Sequence, residues 1–280
     1  MRSSFALNGL AMAELKTQPD NRSVEDFLNG SDESMSKPYA DTLKGLQDWQ
    51  PFLLAESGLP GPRGNIELAQ VVADLGNEEM FNRFLAFDAA RAPVNSPFEF
   101  LAFCGVVGLG RLLAEGRRDV LPALRRHASD VRWRTREAVA MALQRWGRVD
   151  MDALLDEMET WTQGNLLECR AAIAAVCEPA LLGDARKTER VLDLLDAVTA
   201  SLARAGERRS DDFRALRKGL GYCWSVAVAA LPDPGRERME LWFTSEDRDV
   251  RWVMRENLKK KRLARLDAPW ATAAQQRLAD

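Results

Sequence analysis

The 280-residue chain has one histidine, and that scarcity excludes chemistry. With His127 alone, most zinc sites, Ser-His or Cys-His nucleophilic pairs and di-iron centres built from several His-Glu pairs lack a ligand set. No cofactor and no metal are expected. Cysteine is sparse as well. Cys104, Cys169, Cys177 and Cys223 each sit in an apolar run, the pattern of buried, reduced thiols rather than of a disulfide framework, so the expected compartment is the cytoplasm. No uninterrupted apolar stretch reaches the roughly 18 residues that span a bilayer, and no membrane association is expected. Arg2 precedes an apolar run from Phe5 that ends in Ala11-x-Ala13, but Asn8 and Gly9 interrupt it, so a secretory signal is not expected. The net charge is only -3, which gives no long-range attraction to nucleic acid or anionic lipid; any such binding would be local.

What is present is helical periodicity. Residues 1–38 are polar, with turn signals at Gln18-Pro19, Asn29-Gly30 and Lys37-Pro38, and are expected to form a mobile segment preceding a folded body at 39–280. From Tyr39 to Ser57, Leu43, Leu46, Trp49, Phe52 and Leu53 fall at helical spacing, with Pro51 placed to kink or divide the helix. Gly58-Leu-Pro-Gly-Pro-Arg-Gly64 is a rigid elbow, read as a packed connector because no P-loop Lys or Ser follows it. Helices are expected at Asn65–Gly76 and Asn77–Ala92. Ser96 and Pro97 then cap and open a helix that is apolar nearly all round and is expected to be buried. Its Gly105, Gly108 and Gly110 would admit a neighbouring helix closely.

The strongest signal is a repeated octet. Asp130-Val-Arg-Trp-x-x-Arg-Glu137 recurs as Asp249-Val-Arg-Trp-x-x-Arg-Glu256, starting 119 residues later, about three lengths of a roughly 40-residue helical repeat. In the first copy Thr135, Val139, Ala142, Leu143 and Trp146 form one helical stripe. Residues 119–147, with a proline-containing first helix, a short turn at Asp130 and a second helix, resemble a HEAT repeat. That resemblance implies an all-α solenoid of about five to six helix pairs. It also implies a ladder of polar contacts along the stack, formed where an aspartate precedes an arginine by six residues, a spacing that Asp130 with Arg136 and Asp249 with Arg255 keep. The middle repeats are degenerate: 150–161 with 166–178, and 188–205 with 210–231. Arg136, Arg170, Arg217 and Arg255 are read as equivalent positions. Residues 237–244 and 249–266 complete the stack, and 269–278 caps it.

Stacked helix pairs serve many jobs, so the fold names no activity. The expected function is a non-catalytic scaffold for a protein partner, which would meet exposed Arg134, Glu137, Met141 and Arg145 on the second-helix face. Charge supplies the alternative. Residues 111–148 carry a net +6, 149–203 a net -7 and 251–265 a net +6. Arg132, Trp133, Arg134, Arg251, Trp252 and Lys260 in the basic bands would offer phosphate contacts and stacking surface. The second octet is similar, loosely, to helix starts of the HEAT-like DNA alkylation-repair glycosylases, whose Trp and Asp spaced four apart have a counterpart in Trp146 and Asp150. That resemblance implies DNA binding as the alternative function. The intervening acidic band opposes a DNA backbone laid across all three.

Overall fold

A computed structural model describes residues 33–279, in which there are fifteen α-helices and no strand. They are α1 (Glu33–Gly45), α2 (Gln50–Ala55), α3 (Ile66–Leu75), α4 (Glu78–Leu85), α5 (Pro97–Ala114), α6 (Leu121–His127), α7 (Trp133–Gly147) and α8 (Met151–Trp161). Then follow α9 (Leu166–Val176), α10 (Ala185–Arg204), α11 (Asp211–Ala230), α12 (Pro232–Leu241), α13 (Arg248–Leu258), α14 (Lys261–Leu266) and α15 (Ala268–Ala279). Residues 1–32, most of the segment expected to be mobile, lie outside the described residues.

Local chemistry places most of these boundaries. Asn65, Asn77, Asp150, Asn165, Asp184 and Ser210 each accept a backbone N–H in the first turn of the following helix, which satisfies donors the helix itself leaves open. Three boundaries depart from the periodicity. Residues 39–57 are divided between two helices at Pro51, one of its two expected effects, but the first of them, α1, already begins at Glu33. The helix expected to reach Ala92 stops at Leu85: Asp88 Oδ1 accepts from Ala90 and Arg91 N–H, and the Arg132 guanidinium takes the carbonyls of Phe87 and Ala92. The helix expected over 249–266 is divided into α13 and α14, the chain turning at Lys259 and Lys260.

Two rows of helices share one apolar interior. Helices α5, α7, α9, α11 and α13 each pack against the next. Behind them lie α4, α8 and α10, paired with α5, α9 and α11; α10 also contacts both α8 and α12. The Thr135–Trp146 stripe of α7 is wholly inside, as expected. Close contacts flank α5, where a Cβ at Gly108 would strike the Phe81 ring and one at Gly110 the backbone of Ala142. Helix α5 is long and apolar enough to cross a membrane, but fourteen of its residues are buried among other helices, as in a protein core.

The N-terminal helices form a cover. Helices α2 and α3 both pack on α5, and the elbow between them reaches α7. Arg134 Nη2 donates to the Gly61 carbonyl at 2.5 Å, and Arg145 bonds Gln70 and Asp74 on α3. The elbow is thus a packed connector, held from below by an arginine.

Candidate interaction face and the two octets

The first octet builds an internal anchor. Asp130 precedes α7, and its carboxylate receives the Arg132 N–H (2.8 Å), Nε (2.9 Å) and Nη2 (2.7 Å). The same guanidinium donates to Phe87 O at 2.8 Å, so one arginine, only 2% exposed, ties the turn before α7 to the turn after α4. Burial alone would raise the Asp130 carboxyl. Hydrogen bonds from Arg132, His127 and the Arg132 N–H outweigh it and hold the group well below the usual carboxylate range. Arg134, 5% exposed, meets the fully buried Glu99 at 3.1 Å and Asn95 Oδ1 at 3.2 Å. Its guanidinium also lies 4.4 Å from the centre of the Trp133 ring.

The second octet is wired to its neighbours instead. Asp249 lies inside α13, and its carboxylate accepts from Arg208 (3.0 Å) and Arg217 (2.6 Å) of the preceding helix pair. Arg217 covers Trp252 at 4.4 Å. Arg251 and Arg255 both turn to the Leu278 carbonyl at the end of α15, at 3.1 and 3.4 Å. Lys260 is buried, its ammonium 5.6 Å from the Tyr222 ring.

These contacts correct two expectations. The ladder does not join Asp130 to Arg136 through the carboxylate, since Arg136 donates to the Asp130 and Val131 carbonyls at 2.6 and 3.2 Å. Nor does Asp249 meet Arg255. Between helix pairs run Arg217 to Asp249, and Arg170 to the Arg136 carbonyl and Glu137. The other correction concerns exposure. Arg132, Arg134, Met141 and Lys260 are buried, while Trp133, Glu137, Arg145, Arg251 and Trp252 are half-buried. Arg134 and Arg145 meet this chain's own elbow and α3, which take the place expected for a partner.

The charge bands have a structural use. On α10, Arg190 bonds Asp156 (2.7 Å) and Glu159 (2.6 Å) of α8. Arg238 of α12 bonds Asp193 and Asp196 of α10, Arg236 bonds Asp267, and Arg277 of α15 bonds Glu240 of α12. Each exposed pair adds little alone, but the row fixes the register of successive helices. The acidic band is thus answered by cations on adjoining helices.

One group of residues on α11 escaped the sequence analysis. Arg217 faces Asp249 of α13, and Gly219 lies against Arg170 and Ile173 of α9. Trp224, which is fully buried, bonds Thr199 of α10. At 100° per residue, Asp211, Ala215, Lys218 and Tyr222 therefore point between α9 and α13, away from α10. Arg262 donates to the Tyr222 hydroxyl at 2.7 Å and stacks on its ring at 4.6 Å. The readable signal was the spacing of Asp211, Arg214 and Lys218 along one side of the charged first half of a helix whose second half is apolar.

No group of three or more His, Cys, Asp or Glu is placed to hold a metal among the described residues. The four cysteines are buried free thiols, and burial pushes Cys169 up to about 11. No protein-family model matches the chain, and neither a curated protein nor a solved structure does.

Proposed function

We propose that the chain is a HEAT-like α-solenoid that acts, without catalysis, as a cytoplasmic scaffold for a protein partner. The observation that carries this reading is the unbroken row α5, α7, α9, α11, α13, each helix packed on the next, with pairing helices joined behind it by ion pairs. On this reading the repeats are α4/α5, α6/α7, α8/α9, α10/α11 and α12/α13, with α15 as the cap. Such a stack presents an extended face built from one side of every second helix.

The DNA-binding reading is weaker. Its leading cations, Arg132 and Arg134, spend their hydrogen bonds inside the protein. Trp146 is buried beneath Arg118, 4.1 Å from its ring, and Asp150 caps α8 through the Ala153 N–H.

A photo-reactive side chain at Ala215, on the outward side of α11, tests the scaffold reading in the native cell. The expected outcome is a discrete protein adduct that is absent when the same group replaces Arg186 on α10. Nucleic-acid adducts alone, or equal labelling from both positions, would overturn it.

A further inference from the structure

Two of the four free cysteines meet across helices. Gly219 of α11 lies against Ile173 of α9, and Cys223, one turn on, donates its thiol to the Ile173 carbonyl at 3.6 Å. The same oxygen accepts the Cys177 N–H at 3.0 Å, the bond that closes α9. Cys177 follows Ile173 by four residues, so it lies on the same side of α9, and a helical side chain leans back over the turn before its own. Both thiols are therefore gathered around one carbonyl, Cys177 being 1% and Cys223 3% exposed. Burial, and after it the neighbouring Cys223, hold the Cys177 thiol well above the usual thiol range, while Arg262 draws it down.

The other two stand apart. Cys169 is eight residues earlier on α9, about 12 Å along the axis, and its thiol turns to the Thr162 carbonyl at 3.3 Å. Cys104 is enclosed within α5.

A pair of adjoining thiols has a reaction that a lone buried cysteine lacks. One sulfur, as its thiolate, attacks hydrogen peroxide; the O–O bond breaks, a sulfenic acid forms, and the departing hydroxide takes up the proton as water. The second thiol then attacks the sulfenic sulfur, the S–S bond forms and another water leaves. Two thiols and one peroxide thus give one disulfide and two waters, the sulfurs losing the two electrons that the peroxide gains. Burial selects the oxidant. A bulky disulfide has no route to these sulfurs, whereas a hydroperoxide as small as hydrogen peroxide needs only a small local opening. Cys177 stands where such opening is easiest, at the end of α9 and before the single turn Pro179–Leu181.

We propose that Cys177 and Cys223 form a peroxide-responsive dithiol, which closes into a disulfide and clamps the end of α9 to α11. The loop so closed contains all of α10, so the clamp ties neighbouring helix pairs together and restricts the unfolded chain.

The test treats the reduced, folded, full-length chain with hydrogen peroxide, blocks the remaining thiols with N-ethylmaleimide, and maps the unreduced digest by mass spectrometry. The expected product is one cross-linked pair of peptides holding Cys177 and Cys223, two hydrogens lighter than the free peptides, with Cys104 and Cys169 alkylated. The urea midpoint should rise on oxidation and return after dithiothreitol. In Cys177→Ala the same treatment should leave the midpoint unmoved, which separates the disulfide from methionine oxidation. The mapping uses the native sequence, so its result stands even where the variant fails to fold. No cross-link in the folded protein, a cross-link through Cys104 or Cys169, one formed only in urea, or an unchanged midpoint in the cross-linked protein would each overturn the proposal.

Discussion

Six of the eight residues at 130–137 recur at 249–256, yet the two octets are used in opposite ways, and the cause lies two residues upstream of each. Asp247 accepts the Asp249 and Val250 N–H groups at 2.9 and 3.1 Å, so α13 starts at Arg248 and draws the whole octet into the helix. The matching position in the first copy is Ala128, which has no side-chain oxygen to cap with. There α7 waits until Trp133, and Asp130 is left outside to organise the turn around Arg132. A cap two residues away thus decides whether an identical aspartate binds its own segment or the preceding helix pair.

The largest consequence should appear at the aspartates. Asp130→Ala would leave Arg132 buried without its carboxylate and should cost about 3–5 kcal/mol. Asp249→Ala should cost about 1–3 kcal/mol, because Arg208 and Arg217 are partly exposed and Arg208 keeps Asp247 at 2.7 Å. Urea denaturation of both variants measures the difference, and equal losses would refute the contrast. The pH dependence sharpens it. The Asp130 carboxyl is depressed in the folded state, so its stabilisation is complete above the unfolded value of about 3.9 and is lost as pH falls toward the folded one. Wild-type stability should therefore decline more steeply below about pH 4 than that of Asp130→Asn.

The fifth position of the octet is Arg134 in one copy and Val253 in the other. Arg134 holds Glu99 and the elbow, and the second copy has no elbow to hold. Arg134→Ala should cost about 3 kcal/mol by stranding a buried carboxylate. It should also raise amide exchange across 58–64, read by mass spectrometry. A loss under about 0.5 kcal/mol, the range of an ordinary surface site, would show that the elbow is held by other means.

The second position gives a smaller and cleaner contrast. Val250 is 0% exposed and Val131 is 75% exposed, because the helix start rotates one inward and leaves the other in a turn. Val250→Ala should lower stability by about 2 kcal/mol through lost packing, and Val131→Ala should stay within about 0.5 kcal/mol. Thermal melts of the two variants check this directly.

How much of this was legible follows the range of the interactions. Helices were readable wherever apolar period and an Asn, Asp or Ser cap coincided, as at Asn65, Asn165 and Ser210. The buried α5 was readable from its composition, and the close approaches at Gly108 and Gly110 from the glycines themselves. The cover over α7 was not, because Arg134 to Gly61 joins residues 73 apart, and nothing in either segment names the other. An arginine on a polar stripe looks solvated until its carboxylate is located. The bands of charge were visible as bands, but their pairing across α8, α10 and α12 needed the packing of those helices side by side.

The smallest contrast is at the seventh position, where both copies carry arginine. Arg136 Nη1 serves two carbonyls, Asp130 O and Val131 O, in a turn that has few other donors. Burial lowers the Arg136 pKa and nearby Arg170 lowers it further, so part of what the side chain contributes is already offset by the strain of a second cation. Arg136→Ala should therefore cost about 1–2 kcal/mol, less than the stranding of Arg132. Arg255 donates to a single carbonyl, Leu278 O, at 3.4 Å, and Arg251 supplies the same oxygen at 3.1 Å. Removing Arg255 leaves that carbonyl satisfied, so Arg255→Ala should stay within about 0.5 kcal/mol. Arg251→Ala with Arg255→Ala together should exceed the sum of the single changes, because only the double variant strips the end of α15 of both donors. Strict additivity in chemical denaturation would mean that the two arginines do not share this role, and that docking rests on the other contacts of α15, among them buried Ala271, Ala274 and Leu278, Gln275 to the Leu258 carbonyl and Arg277 to Glu240.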